Sequence, residues 1–362
     1  MSWTHTAPAQ EVHFGAGAVE RTAEVLRRVG ARDALLVTSP GAFASDAARR
    51  LERTLGHGLT SCFADVEAHA PAPVVQAAFL QARRDGVDSV VSLGGGSCAD
   101  VAKAVCFFFE QEAGTPAMAV GDRPALPHVA VPTTLAGAAL TTSFSMTEPA
   151  TGQARGGAGP TLAPAGVLAD PGVVAGTPPD VLVETGVTAL AQAVEAALDS
   201  VSTPEARAVA TAGARALHHW LPALAAEPAD ETALVAVLEG SLLAGRAVSA
   251  DVTPSSLGLA RLLGGRTGAP HRRLVAALLP PVAGRAVTGR PTDAADLARA
   301  LEVTDVDAAL EGLLADTGLA TTLGECGVGT EDLEATTRLA QSDPAFRGMP
   351  EDDLRSLLDD AA

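Results

Sequence analysis

The sequence predicts an α/β domain on a parallel sheet over residues 1–170, followed by an all-helical domain over residues 171–362. Three observations carry this. Up to Asp170, short β-rich runs alternate with helical periods at the spacing of βαβ units. The stretch Val90-Val91-Ser92-Leu93-Gly94-Gly95-Gly96-Ser97-Cys98-Ala99-Asp100-Val101-Ala102-Lys103 runs from an apolar segment through three glycines into a helix. A buried parallel strand ends in this way where its C-terminal edge passes close to a ligand. From residue 179 onward the texture is helical, rich in Ala and Leu and punctuated by Pro and Gly.

Taken in order, Glu11-Val12-His13-Phe14 is a short strand before Gly15-Ala16-Gly17, and residues 19–29 carry a helical period through Val19, Ala23, Val25 and Leu26. Ala34–Thr38 is a second strand, broken by Ser39-Pro40-Gly41; helix, strand (58–63), helix (72–85) and strand (88–93) follow. In the glycine cluster φ can be positive and no Cβ separates backbone N–H groups from an anion. Ser97 with Asp100 predicts a helix start of the capping-box type, Asp standing in for Glu. Amide donors and a helix dipole then converge on one spot, which suits a diphosphate; an ordinary tight strand-to-helix turn is the alternative. Lys103 is the only lysine among 25 basic residues, which argues against surface filler. His128–Val131 is another strand, ending in Pro132-Thr133-Thr134 and placing hydroxyls where open α/β sheets bind ligands. Residues 142–148 and 166–169 are further strands, separated by a Gly- and Pro-rich stretch at 151–165. Residues 328–362 are acidic but periodic in Leu and read as closing helices.

At 362 residues the chain is long enough for two cores. It is 47% hydrophobic with a mean hydropathy of +0.23, yet no uninterrupted apolar run reaches the roughly 20 residues of a membrane span. No basic flank with an apolar core marks a secretion signal. Cys62, Cys98, Cys106 and Cys326 lack metal spacing, so reduced thiols in the cytoplasm are expected. A net charge of −18 argues against nucleic acid as a partner.

With these residues assembled, the chain resembles the iron-containing alcohol dehydrogenase superfamily, and within it the maleylacetate reductase-like branch. The resemblance rests on His13-Phe14-Gly15-Ala16-Gly17, on Gly94-Gly95-Gly96-Ser97-x-x-Asp100-x-Ala102-Lys103, and on Pro132-Thr133-Thr134-Leu135-Ala136-Gly137. Thr147-Glu148, Asp170-Pro171 and Pro270-His271 fall in register as well. It implies a dehydroquinate synthase-like fold, a homodimer, and NAD or NADP as cofactor. Gly94, Gly95, Gly96, Ser97 and Asp100 would form the diphosphate loop, with Thr133 and Thr134 contacting the cofactor beyond it. Family members that choose NAD often carry Asp where this chain has Ser39; Ser39 brings no charge against a 2′-phosphate, so both cofactors stay open.

At the family's metal positions the sequence departs from the resemblance. Metal-dependent members use an Asp and a His four apart on one helix, plus two further His. Here those positions are Thr188, Gln192, Arg261 and His271. One imidazole with an amide, a hydroxyl and a guanidinium is no set for a divalent cation, and Arg has no lone pair to give. No metal is therefore expected. Gly137-Ala138-Ala139 replaces the family's Gly-Ser-Glu, and Ser256-Leu257-Gly258 stands where reductases carry a His pair.

Carbonyl reduction without a metal leaves His271 as candidate proton donor, Arg261 as a fixed cation, and Thr188 with Gln192 as hydrogen-bonding groups on one helix face. Arg261, His271, Arg272 and Arg273 form a basic cluster in an acidic chain, suited to a small anionic substrate. Each has a plainer alternative: Arg261 in a salt bridge, Arg272 and Arg273 solvated, His271 as a helix cap, Thr188 and Gln192 as space-fillers. Two functions follow. One is a metal-independent NAD(P)H-dependent reductase of an oxo-acid or conjugated carbonyl. The other is a repurposed relative performing cyclisation, elimination or isomerisation, as in a specialised biosynthetic pathway.

Overall fold

The computed structural model describes residues 3–115, 124–248, 255–343, 346 and 348–362, in two compact units. The first comprises Ala7–Ala150 and Ala154–Pro178. Its strands are β1 (Glu11–Phe14), β2 (Ala34–Thr38), β3 (Leu59–Phe63), β4 (Ser89–Gly94), β5 (His128–Pro132), β6 (Ser143–Glu148), β7 (Gln153–Ala158) and β8 (Gly166–Ala169). Its helices are α1 (Thr22–Arg28), α2 (Pro40–Phe43), α3 (Asp46–Leu55), α4 (Ala72–Asp85), α5 (Gly96–Ala113) and α6 (Pro171–Val174). Six strands form one parallel sheet in the order β1-β8-β5-β4-β2-β3.

Alternation along the strands builds a core on each face of this sheet. Leu35, Val37 and Val90 point to one side, against Val75 and Ala78 of α4 and Val101 and Val105 of α5. Leu36, Val91, Leu93 and Val131 point to the other, against Val25 and Leu26 of α1 and Leu51 of α3. The chain runs from β2 outward to β3, then crosses back over β2 to β4. The strand order therefore reverses between β2 and β4, and in such sheets ligands lie outside the carboxyl ends at that reversal.

Two expectations change. The stretch 151–165 holds a strand, β7, which pairs with β6 in a separate two-stranded sheet. Its glycines are there for close approach: a Cβ on Gly156 would lie 2.2 Å from the Phe144 carbonyl oxygen, and one on Gly157 2.9 Å from the Phe144 ring. Composition alone made it look like a loop. The division between units falls at Pro178/Pro179, not at 170/171. Asp170 accepts from the Gly17 amide at 3.0 Å and pairs with Arg50 at 3.0 Å, while Val173 lies in the core beside Leu168. Those contacts keep residues 171–178 with the sheet.

The second unit takes in the chain before Ala7, Thr151–Gln153 and everything from Pro179. Its helices are α7 (Pro179–Leu198), α8 (Pro204–Ala226), α9 (Glu231–Val248), α10 (Ser255–Thr267), α11 (His271–Gly289), α12 (Pro291–Leu301), α13 (Val306–Asp316), α14 (Thr330–Ser342) and α15 (Glu351–Asp360). α7 is the spine, with α8, α9 and α11 packed on it. By length and composition α7 is apolar enough to cross a membrane, which qualifies the expectation from apolar runs; 94% of that window is buried in the unit, as in a core helix. Gly186 lets α8 approach, since a Cβ there would meet Leu221 at 2.4 Å.

Candidate active site

The α/β unit presents three strand ends side by side: Ser39 after β2, Gly94–Ser97 after β4, and Thr133-Thr134 after β5. Gly94 has φ +151°, and a Cβ there would lie 2.4 Å from the Cys98 Sγ. Only glycine fits. A Cβ on Gly95 would meet Thr134 Cγ2 at 3.1 Å, and the Thr133 amide donates to the Gly94 carbonyl at 3.0 Å. The β4 loop and the β5 loop are thus locked together. The amides of Cys98 and Ala99 turn back onto the Gly95 carbonyl, so the donors that α5 leaves over in its first turn are those of Gly96 and Ser97. Gly95, Gly96 and Ser97 are partly exposed while Cys98 and Ala99 are buried. Burial pushes the Cys98 thiol up to about 12, which leaves it inert as a nucleophile.

The expected capping box is absent. α5 begins at Gly96 with Gly95 as N-cap and no side-chain cap, so Ser97 lies inside the helix and Asp100 a turn further on. A side-chain cap would have taken up amide donors, whereas a glycine cap keeps them for an anion. Ser39 instead caps α2, accepting from the Ala42 amide at 3.4 Å. Lys103 does not reach the loop mouth. It is fully buried, bonded to the Ala138 carbonyl, Thr141 Oγ1 and the Ser143 carbonyl. The cradle fits a dinucleotide diphosphate: bare glycine backbone, two amide donors and a helix N-terminus face one place.

In the helical unit, Thr188 and Gln192 lie on a polar stripe of α7 with Glu184 and Glu195, all four buried. Thr188 Oγ1 donates to the Glu184 carbonyl at 3.0 Å, back-bonding within its own helix. At one end of the stripe, Glu184 pairs with both Arg272 and Arg273 (Nε of the latter at 2.8 Å), so the two arginines expected to be solvated are engaged on a buried carboxylate. They dock the start of α11, whose first residue is His271. At the other end, Glu195 accepts from the Ser256 hydroxyl and from the amides of Ser255 and Ser256, capping α10 from a neighbouring helix. Burial pushes the Glu195 carboxyl up to about 7, against the pull of those donors. Arg261, expected to stand as a fixed cation, is ion-paired with Asp343 through Nη2.

Sequence reasoning missed Glu184, Glu195 and Asp343. The first two left a signal, being polar residues at helical spacing around Thr188 and Gln192 in an otherwise apolar helix. Asp343 left none, because its partner is 82 positions away. The donor set at the family's metal positions does not fit a divalent cation: one hydroxyl is back-bonded, one position is a guanidinium held by a carboxylate, and a single imidazole is present. Among the described residues, no group of three His, Cys, Asp or Glu side chains is placed to hold a metal ion.

Comparison with known proteins agrees over the whole chain. A family model described as iron-containing alcohol dehydrogenase matches residues 9–171, and one for the C-terminal part of the Fe-containing alcohol dehydrogenase family matches 182–362. A maleylacetate reductase of Rhizobium sp. (strain MTP-10005) is 32% identical over 98% of this chain and 95% of its own length. A crystal structure of maleylacetate reductase from the same strain superposes with a TM-score of 0.84 at 30% identity, covering 100% of this chain and 98% of that one. A maleylacetate reductase from Agrobacterium tumefaciens superposes with a TM-score of 0.84 at 29% identity over the same shares.

Proposed function

The chain belongs to the iron-containing alcohol dehydrogenase family and is an oxidoreductase of its maleylacetate reductase-like branch; on that premise we propose that it is a metal-independent NAD(P)H-dependent reductase of a small anionic oxo-acid or conjugated carbonyl compound. The observation that carries this is the cradle at Gly94–Ser97, where backbone, two amides and a helix N-terminus are kept clear for a diphosphate while the metal positions hold Thr188, Gln192 and Arg261.

A nicotinamide dinucleotide, when bound, supplies the hydride. The Gly96 and Ser97 amides hold its diphosphate, and Thr133 and Thr134 orient it beyond that point. His271 donates the proton to the carbonyl oxygen as it becomes a hydroxyl. Arg261, oriented by Asp343, pairs with a substrate carboxylate or oxyanion; its bond to Asp343 uses Nη2, and a guanidinium presents five N–H donors. Gln192 adds an amide. Fluorescence titration with NADH and NADPH, followed by assay of nucleotide oxidation against a panel of oxo-acids and enones, tests the reading. Failure of both nucleotides to bind overturns it.

A second reading, non-redox chemistry in a repurposed relative, draws on the commitment of Thr188 to Glu184 and of Arg261 to Asp343. It predicts substrate loss with no matching nucleotide oxidation, and equal stoichiometry rejects it.

A further inference from the structure

Among the described residues Lys103 is the one lysine or arginine buried in the fold, and the proposed reaction leaves it unused. It is 0% exposed. Its ammonium makes three hydrogen bonds, to the Ala138 carbonyl at 2.7 Å, Thr141 Oγ1 at 2.6 Å and the Ser143 carbonyl at 3.1 Å. All three acceptors are neutral and all belong to the segment that follows Thr133-Thr134. A chain whose 24 other basic residues are arginines uses its single lysine here. Three acceptors set around one point suit a compact ammonium and not a planar fork. The bonds tie α5, which begins at the diphosphate cradle, to the loop that leaves β5.

We infer that Lys103 is a positioning residue for dinucleotide binding, clamping the Ala138–Ser143 segment, and with it Thr133 and Thr134, against the loop Gly94–Ser97. The inference rests on the dinucleotide reading above. Its physical basis is that a buried charge is costly, and the clamp keeps its full set of bonds only as the ammonium. Loss of the proton removes one donor and turns a lone pair toward an acceptor oxygen. Burial pushes Lys103 down to about 8, with Asp100 and Cys106 on its own helix opposing the shift. From β5 the titratable neighbour is His128, which burial and Lys103 push down to about 3 and so keep neutral. Residues 138–141 and β6 contribute only neutral acceptors to the ammonium.

Lys103 stands seven residues along α5 from Gly96, or about 10 Å by helix rise. A diphosphate at the cradle therefore favours the charged lysine through the protein interior, and binding takes up a proton near pH 8. Calorimetric titration of the wild-type chain with NADH, in two buffers of different ionisation enthalpy, reads that uptake directly. The expected result is fractional proton uptake at pH 8 and a Kd that rises several-fold, at most about tenfold per pH unit, between pH 7 and pH 9. Lys103→Met is expected to bind NADH about tenfold or more weakly, with no uptake and a flat pH profile. A folded Lys103→Met chain that binds like wild type overturns the inference alone, since the nucleotide then binds without the clamp. Wild-type binding without proton uptake or pH dependence overturns it too, and needs no variant to fold. A wild-type chain that binds neither NADH nor NADPH overturns the dinucleotide reading and this inference with it.

Discussion

Replacing Gly95 by Asp separates fold from function with opposite signs. Gly95 is the N-cap of α5 at φ −83° and ψ −162°, an extended conformation open to any residue. Its new Cβ would meet Thr134 Cγ2 at 3.1 Å and Oγ1 at 3.2 Å, so Thr134 must give by a few tenths of an ångström. Against that small strain, Asp is a favoured cap and an acid beside a helix N-terminus contributes about 0.3–1 kcal/mol. Stability should hardly change. Nucleotide binding should collapse, because the carboxylate takes up amide donors meant for the diphosphate and adds like charge beside it. At about 5 Å and an effective dielectric of about 20, one pair of charges costs about 3 kcal/mol, or about a hundredfold in Kd. Ser97→Asp delivers the charge at a position that already carries a Cβ and serves as the steric control. Fluorescence titration with NADH gives the affinities, and thermal melting checks the fold. A folded Gly95→Asp chain with unchanged NADH affinity refutes the cradle as a nucleotide site.

The purified protein is expected to carry no stoichiometric iron or zinc, and elemental analysis giving about one ion per chain, removable with loss of activity, contradicts the reading of Thr188, Gln192 and Arg261. Arg261→Ala should lower kcat/KM by about a hundredfold, the scale of one oxyanion-type donor; near-normal turnover in that variant, beside an inactive His271→Ala, shows that His271 acts without it. Arg272→Ala should cost much less in steady-state kinetics, because Arg273 still holds Glu184. Glu195, about 7 in the fold against an ordinary 4.5, binds its proton more tightly when folded, so its contribution to stability is complete below pH 4.5 and is lost as pH rises to about 7. Denaturant midpoints across that window should fall for wild type relative to Glu195→Gln, and a constant difference between the two counts against the buried carboxyl.

What could be read from the sequence and what could not divide along physical lines. The sheet, its ligand-facing edge and the glycine loop rest on local signals: apolar runs of strand length, Gly clusters, and hydroxyls directly after a strand. Gly94 was visible because a strand end at positive φ, packed against Cys98, needs glycine at a fixed local spacing. The helix start was misread because Ser97 and Asp100 satisfy a capping pattern that the chain does not use; Gly95 caps instead, leaving amides for an anion. β7 was missed because Gly156 and Gly157 lower strand propensity while serving close packing against Phe144. In the helical unit the decisive pairings join residues distant in sequence. Arg261 finds Asp343, Arg272 and Arg273 find Glu184, and Ser256 finds Glu195. No local period reports which carboxylate a given arginine will meet.

Those pairings also decide what kind of anion recognition the helical unit can support. The basic cluster looked in sequence like three unopposed guanidinium groups. In the fold, Arg261 is balanced by Asp343, and Arg272 with Arg273 share the single carboxylate of Glu184, so these ion pairs leave one positive charge. Glu195, which burial holds at about 7, is about half ionised at pH 7 and offsets about half of that charge. A net charge of one or less in a chain of −18 cannot draw an anion from a distance, because exposed charges are screened beyond about 8–10 Å at ordinary ionic strength. It can act only at contact, through directed guanidinium hydrogen bonds whose geometry is set beforehand by Asp343 and Glu184. Substrate selection of this kind depends on fit and not on steering. Association of an anionic substrate should therefore not accelerate as salt is lowered, because the dominant long-range field of the chain is repulsive.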